Sequence, residues 1–412
     1  MILRYESSSL MTLAGAALAA AAMTTSAPGA PTPMCLSQVT TPLCVAQVTY
    51  PRSPAEPPAP RKKLTGFFSA MSYHTREFPE ITDEWEISRI RAMGGNAHRW
   101  LVRWGDIQPD GRFAPFLNIP LGEAEDTNPT THSIVVSDRR YLTDLQAGLV
   151  PVIGIYHVPP WARALDSPGN INVPDLRPWD AFIRALALRY PRAVLEGFNE
   201  PNLTTREPGH PIPPARMAAM QVHMYRQVKE INPRQPVLGP SLTVPPYDQR
   251  TWGIPRYAAQ LYASGMKGSI DGFSLHPYGA GTARTLVELR NPANSFTRTF
   301  REIRRAMSDA GDRVPLFVTE LGVSMTGPTG VGSEAIQRSI IRKMHRRMAA
   351  MPDLGAEIYF ALRDQSSPEM RPSDFSFGLG WMRVNGTPKP VYCSFVREAG
   401  HTYPGCRAAI RR

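Results

Sequence analysis

Short apolar, β-branched runs alternate along this chain with longer stretches whose apolar residues recur at helical spacing. The strand candidates are Leu64 to Ala70, Ala97 to Val102, Val150 to Tyr156, Val194 to Phe198, Val237 to Ser241, Ile270 to His276, Leu316 to Thr319 and Glu357 to Leu362. Helical stretches fall between them, among them Asp180 to Tyr190, Ala215 to Ile231, Pro255 to Ser264, Phe296 to Ala310 and Ser333 to Met351. In the last, Ile336, Ile340, Met344 and Met348 form an apolar stripe, with Arg338, Arg342, Arg346 and Arg347 on other faces. Strands alternating with helices predict a parallel sheet. Eight such units over about 300 residues predict an α/β fold of one catalytic domain, a closed (β/α)8 TIM barrel. An open sheet with a phosphate loop needs a glycine-rich turn after the first strand, and Gly66-Phe67-Phe68-Ser69-Ala70 does not supply one. The sequence also lacks a Walker A loop, a Gly-x-Ser-x-Gly elbow and a His-Glu-x-x-His helix.

The pattern changes before residue 63. Leu10 to Met23 is uncharged and apolar over about fourteen residues, too short for the roughly twenty that span a bilayer. It reads as a secretory signal peptide within residues 1–30, with cleavage among Thr25 to Ala30. Residues 31–62 form a Pro-rich segment ending in the spacer Pro51 to Pro60, the barrel is expected over 63–392, and a tail over 393–412. Export permits disulfides. Of the three possible pairings, Cys35–Cys44 and Cys393–Cys406 are the simplest, and none of the four cysteines has zinc or redox-pair spacing. The protein is therefore expected in the extracellular space or cell envelope, with no stable membrane insertion. The net charge of +11 comes almost entirely from Arg, with only six Lys. Nucleic-acid binding would need basic and aromatic residues clustered on a recognised module, and none is present. If the charge has a partner, that partner is an acidic polysaccharide or envelope polymer.

The candidate chemistry lies at two strand ends. The fourth strand runs into Gly197-Phe198-Asn199-Glu200-Pro201-Asn202, and the seventh runs through Val318-Thr319-Glu320-Leu321-Gly322. In a barrel the C-terminal strand ends form the active face, so Glu200 and Glu320 would share one cup. Two facing carboxyls suit glycosidic bond cleavage: one protonates the leaving oxygen, while the other attacks the anomeric carbon or activates water. Asn199 supplies an amide for a neighbouring sugar hydroxyl, and Pro201 fixes the turn after the carboxylate.

With these motifs the chain resembles the clan A glycoside hydrolases, the four-seven retaining barrel superfamily, and most closely secreted bacterial members related to families 39 and 5. The resemblance covers about Thr65 to Tyr392. It rests on Asn199-Glu200-Pro201-Asn202, Thr319-Glu320-Leu321-Gly322, His276-Pro277-Tyr278, Arg99, Phe377-Gly378-Leu379 and Lys389-Pro390. It implies Glu200 as acid/base, Glu320 as nucleophile and Asn199 as partner of the substrate 2-hydroxyl. Arg99 and Tyr278 would flank the nucleophile, and His276 would line the floor. No metal or organic cofactor is implied.

A cation beside Glu320 favours its ionised form, whereas Glu200, less compensated, would hold a proton near neutral pH. Arg99 is equally suited to a barrel-interior ion pair with Glu196. Trp104, Trp161, Trp252 and Trp381 all fall in loops, and Trp161, after His157-Val158-Pro159-Pro160, is the best candidate platform for a sugar face. Many clan A members carry Trp at the end of strand eight. This chain reads Ile358-Tyr359-Phe360-Ala361 there, and Tyr359 is placed among the substrate contacts. The longest barrel loop, Gln108 to Val136, is expected to shape one side of a cleft. The expected function is a secreted retaining hydrolase of a poly- or oligosaccharide. The alternatives are a non-catalytic glycan binder on a degenerate barrel and a transglycosylase with the same site.

Overall fold

In a computed structural model, the described residues are 34–36, 43–45, 63–68, 82–111, 119–167, 170–203, 211–244, 252–278, 292–327, 330–365 and 375–407. The chain divides into two compact units, Met1–Pro51 and Arg52–Arg412. In the first, strands Met34–Leu36 and Leu43–Val45 pair antiparallel, with Cys35 opposite Cys44 in register. The leader, its cleavage site, the Pro spacer and the Cys35–Cys44 sulfurs lie outside the described residues.

The second unit is a (β/α)8 barrel. Its strands are β1 (Leu64–Phe68), β2 (Ala97–Arg103), β3 (Val150–Tyr156), β4 (Val194–Phe198), β5 in two pieces (Val237–Leu238 and Leu242–Thr243), β6 (Phe273–His276), β7 (Leu316–Val318) and β8 (Leu354–Tyr359). All neighbours run parallel, β8 pairs with β1, and the two pieces of β5 stand at opposite ends of the strand order. Since those pieces are joined in sequence, the sheet is closed. Bridges Asn199↔Ser241 and Leu238↔Gly272 knit the seam. The interruption has a local cause: Pro240 has no N–H for the ladder, and Gly239-Pro240 splits the single strand expected over Val237 to Ser241.

The helices are α1 (Asp83–Ala92), α2 (Pro129–Gln146), α3 (Leu176–Arg189), α4 (Pro214–Ile231), α5 (Ile254–Ala263), α6 (Pro292–Asp309), α7 (Glu334–Ala349) and α8 (Pro390–Glu398). Helix α2 occupies the end of what reads in sequence as the loop Gln108 to Val136. Pro129 at its first position and a capping box between Asn128 and Thr131 start it. In α3, Trp179, Phe182, Ile183 and Leu186 recur at helical spacing and are all buried. At about 1.5–3 kcal/mol for each large apolar side chain, this face holds the helix on the sheet. In α7 the expected stripe shifts. Ile336 is 48% exposed. The buried positions are Gln337, Ile340, Ile341, Met344 and Met348, with Gln337 donating to Val323 and Gly378 carbonyls at 2.9 and 3.2 Å. The boundary expected at residue 392 falls inside α8, whose Val391, Tyr392, Phe395 and Val396 join the core. The Cys393–Cys406 disulfide ties this helix to the chain that follows it. Among the described residues no helix is long and apolar enough to cross a membrane.

Alternation along the strands creates two cores. Leu64, Ala97, Val152, Val194, Leu238, Ala356 and Ile358 fill the barrel interior, while the larger cluster lies between strands and helices. Further along the inner faces the side chains become polar, with Arg99, Glu196, Ser274 and Thr319 all buried. That polar layer underlies the candidate site.

Candidate active site

Glu200 stands two residues beyond β4. Asn199 N–H donates to Ile155 at 2.8 Å and Glu200 N–H to Ser241 at 3.0 Å, so the β5 interruption supplies the acceptor for the turn. Glu200 has φ 49°, in the left-handed region that few non-glycine residues adopt. Asn202 holds this conformation. Its Nδ2 donates to the Thr243 and Trp252 carbonyls at 2.7 and 2.8 Å, and its Oδ1 accepts Thr243 N–H at 2.9 Å. The Asn-Glu-Pro-Asn run thus sets Glu200 on a fixed turn.

Glu320 stands two residues beyond β7 and is 6% exposed. Arg99, wholly buried, donates from Nη1 to Glu320 Oε1 at 2.6 Å. Its Nε donates to Glu196 Oε2 at 2.7 Å, and its Nη2 to Asn199 Oδ1 at 2.8 Å. Arg99 thus pairs with both Glu196 and Glu320. Glu196 also accepts from the Ser274 hydroxyl, which lies 2.6 Å from that of Thr319. Gly154 makes room for the network: a Cβ there would approach Glu196 Oε2 to 2.9 Å and Arg99 Nη2 to 3.3 Å. Because Asn199 Oδ1 is taken by Arg99 and lies 3.4 Å from Ser241 Oγ, its Nδ2 is the group left to donate.

His276, the last residue of β6, and Tyr278, two residues beyond it, complete the arrangement. Tyr278 Oη donates to Glu320 Oε2 at 2.5 Å. His276 Nδ1 lies 2.9 Å from Glu200 Oε1, and its Nε2 is 3.7 Å from Glu320 Oε1. Burial, reinforced by the charges of Glu320 and Glu200, holds the Tyr278 phenol well above its ordinary range. The expectation for Glu200 is corrected. Burial pushes its carboxyl up, but the hydrogen bond and charge of His276, the Thr243 hydroxyl and the Arg99 charge outweigh it, leaving the carboxyl below its ordinary range. Sequence gives no sign of this, because the imidazole comes from a strand 76 positions away.

Of the aromatic candidates, Trp161 lies in the loop after β3, half-buried, with Nε1 donating to the Gln108 carbonyl at 2.8 Å. Its ring packs on Gly111 and edge-on against Trp104, centroids 5.9 Å apart. Trp104 and Trp381 are completely buried and belong to the core. Tyr359 is a second correction. It is completely buried on the helix side of β8, bonded to Glu357 and packed against Trp381 and Phe67, so a substrate cannot reach it. The next residue, Phe360, is half-buried and packs against the barrel-interior cluster. Counting parity along β8, with Ile358 inward and Tyr359 outward, is the signal that would have favoured Phe360.

Glu200, His276 and Glu320 bring one donor atom each to within 4.8 Å of one another. A metal there would face the Arg99 cation bonded to Glu320, and His276 Nδ1 is already engaged by Glu200.

In fold this barrel is similar to solved glycoside hydrolases of families 39 and 5. A family 39 β-xylosidase from Caulobacter crescentus is 20% identical, with TM-score 0.54 over 85% of this chain and 73% of that one. A family 39 glycoside hydrolase from Bacteroides cellulosilyticus is 16% identical, with TM-score 0.52; the match covers 81% of this chain and only 63% of that one, less than two thirds of its length. A GH5_18 protein from Bifidobacterium longum, solved with Manβ1-4GlcNAc, is 13% identical, with TM-score 0.58 over 82% and 78% of the two chains. No protein-family profile matches the sequence. No curated protein matches it either.

Proposed function

We propose that the protein is an exported retaining glycoside hydrolase acting on a poly- or oligosaccharide. The observation that carries this reading is the approach of Glu200 and Glu320, one oxygen of each carboxylate lying within 4.8 Å of the other. Retaining sites hold their carboxyls about 5–5.5 Å apart, while inverting sites need roughly 6.5–9.5 Å to admit a water. Export rests on the apolar leader of the sequence.

Glu320 attacks the anomeric carbon, its other partners fixed by Arg99 and Tyr278. As the glycosidic bond breaks, Glu200 gives a proton to the leaving oxygen. A hydrogen bond between His276 Nδ1 and Glu200 Oε1 contains one proton, which transfers to the carboxylate and from there to the departing alkoxide. In the second step Glu200 takes a proton from water, whose oxygen displaces Glu320 and restores the anomeric configuration. Asn199 Nδ2 holds the 2-hydroxyl, and Phe360 offers an apolar face to the sugar ring.

The test uses a panel of aryl 2-deoxy-2-fluoroglycosides as mechanism-based labels. A covalent adduct mapped to Glu320 and a retained anomer by NMR are expected. Glu200→Gln and Glu320→Gln should each lose about 10² to 10⁴ in rate. Near-full activity in both variants, or an inverted product, overturns the reading. A protein that binds glycans with no adduct is a binder, and one that passes the sugar to another sugar is a transglycosylase.

A further inference from the structure

Among the described residues the non-glycine positions with left-handed backbone are His157, φ 59°, and Glu200, φ 49°. They follow adjacent strands β3 and β4, and the Asn199–Ile155 bond sets their turns at similar height. Strained backbone concentrates where a side chain must be aimed, and the chemistry proposed above uses Glu200 but not His157. Around His157 the charges are mostly of one sign.

Arg103 closes β2 in the same register as Arg99 and Leu101, and Leu101 packs on the barrel-interior cluster. Arg103 therefore stands on the inner face about 13 Å nearer the mouth than Arg99. Its Nη1 is 3.5 Å from Asp106 Oδ2, and His157 Nδ1 is 4.0 Å from Asp106 Oδ1. Gly105 lies flat against the imidazole, since a Cβ there would be 2.5 Å from Nδ1, and its N–H donates to the His157 carbonyl at 3.1 Å. Arg163, in the turn after Trp161, is close enough for its charge to act on the ring. Burial, with the charges of Arg103 and Arg163, holds His157 below its ordinary range despite Asp106.

Arg103 Nε, His157 Nδ1 and Arg163 Nε are all buried with no hydrogen-bond partner. Arg163 meets no carboxylate among the described residues. Asp106 thus faces one guanidinium group and an imidazole, with the Arg163 charge acting on the same ring and donors left over. Gathering like charges and unmade hydrogen bonds costs stability unless a ligand supplies acceptors.

We propose that Arg103, His157 and Arg163 form a subsite for the anionic substituent of an acidic glycan, one strand away from Glu200. The inference rests on the glycosidase reading and narrows its substrate class. The shared chemistry is a carboxylate or sulfate on a sugar, read by charge-assisted donors, and Arg suits it through its planar fork.

The experiment measures binding by calorimetry to the full chain carrying Glu320→Gln, so that no probe is consumed. The probes are oligogalacturonides, their carboxyl-reduced neutral forms, and sulfated carrageenan oligosaccharides with desulfated counterparts. The expected result is binding of at least one anionic probe, about 10- to 100-fold weaker after Arg103→Gln with Arg163→Gln or after removal of the acid group. Charge-keeping Arg103→Lys with Arg163→Lys should recover part of the affinity, which separates recognition from misfolding. Equal affinity for charged and neutral forms, or anionic binding indifferent to the Gln pair, overturns the subsite. Hydrolysis of neutral aryl glycosides by the wild-type chain would then leave the glycosidase reading intact. Anionic binding through the cluster without any adduct on Glu320 in the wild-type chain would sink the glycosidase reading instead.

Discussion

Arg99 donates from Nη1 to Glu320 Oε1 at 2.6 Å, joining residues 221 positions apart at the bottom of the cup. The same guanidinium serves Glu196 and Asn199, and a planar fork is the side chain able to reach all three. Arg99→Lys keeps a charge but cannot make these bonds together. It should lower kcat/KM by about 10² or more while leaving a folded protein. Arg99→Met leaves Glu196 buried without a cation and should cost about 3–5 kcal/mol in denaturant unfolding. Wild-type rates in Arg99→Lys would remove Arg99 from the site.

Against burial, the hydrogen bond and charge of His276 lower the Glu200 carboxyl. His276→Gln removes the imidazole charge and its bond, leaving burial opposed only by Thr243 and Arg99, so the Glu200 carboxyl should rise. The limb of the kcat/KM profile that reports Glu200 should therefore move to higher pH. A profile of unchanged position, measured across pH 3 to 9, would separate His276 from acid–base work.

Tyr359 and Phe360 are neighbours with opposite roles. Tyr359→Phe loses one buried hydrogen bond to Glu357, so it should cost about 1 kcal/mol of stability and leave the rate within about twofold of wild type. Phe360→Ala should raise KM or lower kcat without a comparable change in melting temperature. The reverse pattern would place Tyr359 in the cleft after all.

Glu357 bears on acid stability. Burial pushes its carboxyl up, but the His345 hydrogen bond and charge and the Lys63 charge outweigh it and hold it below 4.5. A lowered carboxyl contributes stability that is fully present above pH 4.5 and is lost as pH falls through the folded value. Calorimetry should show the melting temperature dropping below pH 4.5 more steeply in the wild type than in Glu357→Gln. Parallel curves would assign the acid limb to other carboxylates, such as Asp83 with Arg139 and Arg140.

The period-two and helical patterns are local properties, so sequence alone was enough for eight strands, five of the helices, the barrel and the two strand ends carrying Glu200 and Glu320. Helix α2 was hidden because its start depends on the Asn128 cap and its buried face includes the polar residues Asp138, Arg140 and Asp144. Gln337 took the place expected for Ile336 because three backbone carbonyls from neighbouring loops needed a donor. Tertiary structure alone decided that Arg99 serves two carboxylates, that His276 draws Glu200 below its ordinary range, and that Tyr359 faces away from the cup. Each of these depends on the direction and distance of a side chain from another strand. Closure of the barrel fixes both quantities, and nothing within a single segment encodes them.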